Sequence, residues 1–157
     1  MNGLGVRTTT KELIYAITTG TVDQPQTIVL QKLKAPTAFE VPHALAWYRE
    51  SFLGICQEYN VQAVVIRTAE SSRLGGGSGA IYRNNIEGVL AEAAAAESLS
   101  VKMGPFATIG SLLNIKKPKQ ALEEADFKSI SEWSKANKDN REALMASVAA
   151  LRLLEGK

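Results

Sequence analysis

A glycine-rich loop between two arginines is the first feature of this sequence that could bind a ligand. Residues 75–79 read Gly-Gly-Gly-Ser-Gly and precede a predicted helix, with Arg73 before the loop and Arg83 after it. Backbone N–H groups at the start of a helix attract anions such as phosphate. The loop lacks the Lys-Ser/Thr pair of a P-loop and the spacing of a dinucleotide-binding motif. We therefore expect a flexible loop, and contact between its arginines and a nucleic-acid backbone stays open.

Two carboxylates, Asp139 and Glu142, form the second candidate, near the start of the last predicted helix. Side chains three residues apart on a helix lie on the same face. The pattern is also a helix-start signature, in which Asp139 caps the helix and Glu142 reaches back toward the cap. The two roles do not exclude each other.

The third candidate is a basic loop, in which Lys116, Lys117 and Lys119 surround Pro118. It is either a solvated surface loop or a patch that contacts phosphates. The formal net charge of the chain is +2. That charge is compatible with a polyanionic partner but too small to require one.

Cysteine and histidine chemistry is largely excluded. Cys56 is the only cysteine and His43 the only histidine, so the chain cannot form an intrachain disulfide, a cysteine-based zinc site or a histidine-rich metal site. Cys56 lies on the apolar stripe of a predicted helix, which indicates a core residue. His43 lies at the start of that helix, where we expect a surface residue. A chain without disulfides fits a reducing compartment, and we expect a cytoplasmic protein.

The length and composition predict one ordered domain that spans residues 1–157. Of the 157 residues, 45% are hydrophobic and 22% are charged, which is ordinary for a globular protein. A chain of this length can bury roughly two thirds of its unfolded surface in one core. No apolar run reaches the roughly 18 residues that are needed to cross a bilayer, so we expect no membrane partner.

The residue patterns predict five strands and several helices. In chain order they predict strands at 4–10, 13–18 and 27–33, a helix at 41–59, a strand at 63–66, a helix at 80–98, a strand at 100–103, and helices after Pro105, at 120–134 and at 140–154. Only Lys11 and Glu12 separate the first two strands, which predicts a tight hairpin. Three antiparallel strands followed by βα alternation predict an α/β fold with a mixed five-stranded sheet flanked by helices. This order resembles that of ribonuclease H-like domains.

Several short segments carry a resemblance to a known family. They are Glu58-Tyr59, Asn60-Val-Gln-Ala-Val-Val-Ile-Arg67, Gly75-Gly-Gly-Ser-Gly79, Arg83-Asn-Asn-Ile-Glu-Gly88 and Val101-Lys-Met-Gly-Pro105 with the helix that follows as far as Gly110. Together they resemble the RuvC-type resolvases, a branch of the ribonuclease H-like superfamily. In that family a helix ending in Glu-Tyr leads to a strand, a loop and a helix with an Arg/Glu-Gly element. The resemblance covers about residues 3–115 and the final helix, and it implies the ribonuclease H-like fold.

The resemblance also implies where the chemistry of that family would lie. Its nucleases use carboxylates from the first strand, the fourth strand and the last helix to hold two Mg²⁺ ions. The strand positions match Arg7 and Arg67, whereas the helix positions match Asp139 and Glu142. Our hypothesis is that the arginines pair with these carboxylates and replace the metals by salt bridges, because a buried unpaired arginine would be very costly. A bound phosphate could serve as the same anionic partner, and arginines that point to solvent are the alternative.

The resemblance and its altered residues predict a catalytically degenerate RuvC-like protein that binds DNA, RNA or a protein partner and needs no cofactor. The residues predicted to contact phosphates are Arg7, Arg67, Arg73, Arg83, Lys116, Lys117 and Lys119. The alternative is an active Mg²⁺-dependent nuclease with relocated ligands, whose candidate residues are Glu70, Asp139, Glu142 and Glu87. A third interpretation is an enzyme that binds a small phosphate compound in a closed pocket at the glycine-rich loop. The resemblance also implies a homodimer, with the alanine-rich helix at 80–98 as its interface.

Overall fold

The computed structural model describes residues 1–70 and 77–156. Its strands are β1 (Asn2–Thr8), β2 (Leu13–Gly20), β3 (Pro25–Leu33), β4 (Ala63–Arg67) and β5 (Ser100–Gly104). Its helices are α1 (Val41–Glu58), α2 (Ser78–Ala96), α3 (Phe106–Leu113), α4 (Pro118–Ala121) and α5 (Lys138–Glu155), with a 3₁₀ turn at Trp133–Lys135. None of the helices in these residues is long and apolar enough to cross a membrane.

The five strands form one mixed sheet in the order β3-β2-β1-β4-β5. β1 pairs antiparallel with β2 and parallel with β4, and β4 pairs parallel with β5. The predicted α/β fold with three antiparallel strands followed by βα alternation is therefore confirmed. β1 lies in the centre of the sheet, where the strand direction changes.

Alternation along the strands assigns the two faces of the sheet to two layers of helices. Leu4 and Val6 of β1 are buried among residues of α1 and α2. The intervening residues Gly3 and Gly5 lie against α5 on the opposite face. All five residues of β4 are buried, as expected for a central strand that is covered on both sides.

Glycines in β1 allow α5 to pack unusually close to the sheet. A Cβ atom on Gly5 would lie 2.1 Å from the backbone N of Ser147 and 2.4 Å from the carbonyl O of Ala143. A Cβ atom on Gly3 would lie 2.7 Å from the carbonyl O of Ser147. Glycine in a strand interior often marks such a close approach of another backbone. The small residues thus hold α5 directly against the central strand.

The loop of the first hairpin is longer than the sequence predicted. Thr8 pairs with Leu13, so four residues connect the strands where two were expected. Thr9 closes the loop, because its backbone N–H donates to the carbonyl of Glu12 at 2.8 Å and its Oγ1 accepts from the N–H of Glu12 at 3.1 Å. Lys and Glu are poor residues for a two-residue turn, and a threonine side chain supplies the turn contacts instead.

The polar helix predicted at 120–134 is wrong. Only α4 and a 3₁₀ turn form there, because Lys128 and Ser129 adopt φ angles of 51° and 58°, which interrupt a right-handed helix. Three apolar side chains of this segment, those of Phe127, Ile130 and Trp133, are buried in the core beneath α5. Tertiary burial of a few side chains fixes this irregular segment.

Cys56 is buried on α1, as predicted, and burial raises the pKa of its thiol to about 12. A thiol with so high a pKa is almost entirely protonated at pH 8, and the thiolate is the reactive form. We expect a thiol reagent to modify the native protein at pH 8 only as fast as the protein unfolds, and to modify it rapidly in urea. Immediate labelling of the native protein would contradict this expectation.

Candidate functional site

Arg7 and Arg67 lie side by side at the ends of two parallel strands. They are register partners in β1 and β4. Gly5 and Val65, two residues earlier in each strand, face α5, and alternation turns both arginines to that same face. Their side chains are only 14% and 8% exposed, so the alternative of solvent-facing arginines is wrong.

The first turns of α5 bring two carboxylates to these arginines. The helix begins at Lys138, and the side chain of Asn137 caps it by accepting a hydrogen bond from the N–H of Asn140 at 2.9 Å. The predicted capping role of Asp139 is therefore wrong, because asparagine is an equally good N-cap and lies two residues earlier. The Asp139 side chain stays 43% exposed, whereas the Glu142 side chain is 3% exposed.

One carboxylate oxygen of Glu142 contacts both arginines. Its Oε2 lies 3.2 Å from Nε of Arg67 and also contacts Nε of Arg7. Asp139 Oδ1 lies 3.5 Å from Nη2 of Arg7, and Glu70 Oε1 lies 3.4 Å from Nη2 of Arg67. The predicted pairing with the helix carboxylates is confirmed for Arg7 with both and for Arg67 with Glu142.

A second ionic cluster lies on the α2 side of β1. Arg83 Nε donates to Thr8 Oγ1 and to Glu87 Oε1, both at 3.0 Å. The Thr8 hydroxyl donates to the same oxygen of Glu87, and both Thr8 and Glu87 are buried. This cluster fixes the first turns of α2 to the end of β1. The i,i+4 spacing of Arg83 and Glu87 was a signal for this pair, whereas nothing in the sequence singled out Thr8.

Three arginines line a small cavity beside the two clusters, which we call the arginine cavity. Its volume is about 150 Å³, and its lining residues are Arg7, Thr10, Arg67, Ala69, Glu70, Ala80 and Arg83. A neighbouring cavity of about 380 Å³ shares Glu70 and is lined by Lys117 and Lys119 of the basic loop. The basic loop therefore lies next to the arginine cavity.

The clustering of buried cations has an electrostatic cost. Burial lowers the pKa of Arg67; Glu142 opposes this shift, and Arg7 adds to it. Burial lowers the pKa of Arg83 as well, and Arg7 lowers it further. An additional anion near these guanidiniums would favour their charged forms.

Comparisons with known proteins identify the fold. No protein-family model matches the sequence, and no curated protein matches it. Matching solved structures include Thermus thermophilus RuvC in complex with a Holliday junction substrate, with a TM-score of 0.75 and 11% identity over 99% of this chain and 96% of that chain. The chain has the RuvC-type fold. A second Thermus thermophilus RuvC structure gives a TM-score of 0.74 and 13% identity over 99% and 97% of the two chains. The yeast mitochondrial Holliday junction resolvase gives a TM-score of 0.64 and 12% identity over 97% of this chain and 79% of that chain.

The residues present in this RuvC-type fold do not fit a pair of Mg²⁺ ions. Arg7 and Arg67 occupy the strand positions where the resemblance implies carboxylates, and both contact Glu142. Within residues 1–70 and 77–156, no three His, Cys, Asp or Glu side chains are grouped so that they could hold a metal ion. Magnesium requires several oxygen ligands in near-octahedral geometry. The guanidiniums of Arg7 and Arg67 take up the space beside Glu142, and their charges repel a dication there.

The other residues predicted to be functional lie as follows. Lys116 is exposed on the basic loop and His43 is exposed on α1, as expected for each. Arg73 and the first part of the glycine-rich loop lie outside the described residues. Ala93 and Ala94 of α2 are fully buried in the core of the chain, so these two alanines cannot form the suggested dimer interface. The homodimer stays a prediction.

Proposed function

We propose that this protein binds nucleic acid without cutting it, through a RuvC-type fold in which salt bridges replace the metal ions. The observation that carries the proposal is the position of Glu142, whose Oε2 contacts both Arg7 and Arg67. Two fixed cations stand where two dications would have to bind, and like charges this close repel strongly. Without bound dications the site has no means of activating water for hydrolysis in the way of a two-metal nuclease.

Nucleic-acid binding is supported by the cations at the carboxyl ends of β1 and β4. Arg7, Arg67 and Arg83 line one cavity, and Lys117 and Lys119 line the next. Ligands of open α/β sheets bind outside the carboxyl ends of the strands, where the strand order reverses. Arginine and lysine side chains in such a row neutralise phosphates and release counterions. A Thermus thermophilus protein of the same fold was solved in complex with a Holliday junction substrate.

Binding and cleavage assays with and without dications test this function. Four-way DNA junctions, duplexes and single strands of DNA and RNA would be mixed with the protein in EDTA, Mg²⁺ or Mn²⁺ at matched ionic strength. We expect equal affinity in all three buffers, no cleavage and no tight Mg²⁺ binding by calorimetry. Cleavage that the Asp139→Asn substitution abolishes would instead favour the active nuclease with Glu70, Asp139 and Glu142 as its ligands.

The basic loop supplies a second prediction. Replacing Lys117 and Lys119 together with alanine should weaken binding about equally for all nucleic-acid sequences, since phosphate contacts carry no sequence information. The slope of log K against log salt concentration should fall by about 1 to 2, roughly one for each lost phosphate contact. Binding measured at several salt concentrations checks this.

A matched control removes two cations from the opposite end of the sheet, near the amino end of β1. Lys128 pairs with Asp23 of the β2–β3 connection at 3.3 Å. Arg152 pairs with Glu155, whose carboxylate accepts a hydrogen bond from the N–H of Val22 in the same connection. The double variant Lys128→Ala with Arg152→Ala should leave the salt slope unchanged. Equal effects of the two double variants would mean that the basic loop makes no phosphate contact of its own.

A further inference from the structure

We propose that the arginine cavity takes the terminal phosphate of a nucleic-acid strand. This inference rests on the proposed function and gives the site a specific ligand, a phosphomonoester at a strand end. Three arginines and one acidic residue, Glu70, are among the residues that line the cavity. Guanidinium groups bind phosphate oxygens through pairs of parallel hydrogen bonds, which makes arginine suited to such a group.

The size of the cavity selects a single phosphate group. The volume of the cavity is about 150 Å³. Pockets that enclose whole small molecules have about 300 Å³ or more, so a sugar and a base would stay outside. A phosphate inside a strand carries sugars on two sides, whereas a terminal phosphate carries one and can enter the cavity with three free oxygens.

Arg83 carries a donor that lacks a partner. Its Nη2 atom is buried and has no hydrogen-bond partner within the part of the chain that the structure describes. The Nε atom of the same guanidinium is held by Thr8 and Glu87, so the group is fixed in its orientation. A buried unpaired donor is costly, and this cost adds to that of gathering three cations around one cavity.

The start of α2 adds a second attraction for an anion. The helix has Gly77 as N-cap, without a side-chain cap and without an acidic residue in its first turn. Ala80, which lines the arginine cavity, belongs to that first turn. The positive end of the helix dipole thus acts on the same cavity as the guanidiniums.

Substitution of Ala80 tests the proposal without removing any arginine. In the Ala80→Glu variant a carboxylate would reach into the arginine cavity, where it would compete with phosphate. An acidic residue in the first turn of a helix is favourable for folding, so this variant should fold. The Ala80→Gln variant has the same size without the charge and is the matched control. Thermal unfolding of all three proteins checks that they are folded.

The binding assay compares oligonucleotides of one sequence that end in a 5′-phosphate, a 3′-phosphate or hydroxyl groups only. We expect the wild-type protein to bind one phosphorylated strand on the order of tenfold more tightly than the hydroxyl strand. Inorganic phosphate should compete for this advantage. The Ala80→Glu variant should lose it, and the Ala80→Gln variant should retain part of it, because glutamine takes up space in the cavity without repelling the phosphate.

Two outcomes would overturn the proposal, and a third would leave the cavity to be tested separately. Equal wild-type affinity for all ends would exclude a terminal-phosphate site while the proposed function stands. A preference that survives in the Ala80→Glu variant would place the phosphate elsewhere. If no oligonucleotide binds, the proposed function fails, and calorimetry with inorganic phosphate decides separately about the cavity: binding that Ala80→Glu abolishes supports a phosphate site there, and no binding rules it out.

Discussion

Replacing Glu142 with glutamine should lower the free energy of unfolding by about 3 to 5 kcal/mol. Glu142 is 3% exposed and contacts the guanidiniums of Arg7 and Arg67, which are 14% and 8% exposed. The substitution keeps the shape of the side chain but removes the charge, so two buried cations lose their shared anion. Urea unfolding followed by circular dichroism measures the change.

Two further variants show whether the loss comes from the buried charges. Asp139 lies on the same helix and contacts the same Arg7, but it is 43% exposed, so Asp139→Asn should cost no more than about 1 kcal/mol. The triple variant Arg7→Met, Arg67→Met and Glu142→Leu removes both arginines and the buried carboxylate that they share. It should recover most of the stability, because buried ion pairs can often be replaced by apolar residues at little cost. A small loss in Glu142→Gln would mean that the carboxylate does not hold the two arginines.

Gly5→Ala should lower the free energy of unfolding by about 3 kcal/mol or more. A Cβ atom there would lie 2.1 Å from the backbone N of Ser147 and 2.6 Å from the carbonyl C of Ala146. Overpacking in a core costs about 1 to 3 kcal/mol when side chains can adjust. Here the obstacle is the backbone of α5, which cannot rotate away, so the helix must shift and carry Glu142 away from the arginines.

Gly88→Ala is the matched control for this prediction. Gly88 lies within α2 and is exposed, and nothing lies within 4 Å of a Cβ atom built on it. Alanine is the better helix former, so this substitution should raise stability by about 0.5 to 1 kcal/mol. Urea unfolding and the rate of Cys56 labelling report both effects. Similar midpoints for the two variants would contradict the close approach of α5 to β1.

The elements of the fold were largely predictable because the spacing of apolar residues along the chain follows the buried face of each helix or strand. Short runs rich in β-branched, aromatic or apolar residues predicted all five strands, and the three-to-four-residue stripes predicted α1, α2 and α5 within about two residues. The predictions failed where side chains supply contacts that no period describes. The Thr9 loop, the Asn137 cap and the irregular segment around Trp133 each depend on particular hydrogen bonds or on burial beneath α5.

The candidate site was also predictable from the sequence only in part. The resemblance already implied that Arg7 and Arg67 take the places of the family's strand carboxylates, and their charges already argued for an anionic partner. The sharing of one Glu142 oxygen by both arginines was not readable from the sequence. It depends on how closely α5 packs on β1, a distance set by backbone contacts at Gly5. The arginine cavity likewise exists only because β1, β4 and α2, remote in the chain, each contribute an arginine to one small space. Residue types and local spacing determine which charges a chain carries on which element, whereas packing between elements determines which of those charges meet.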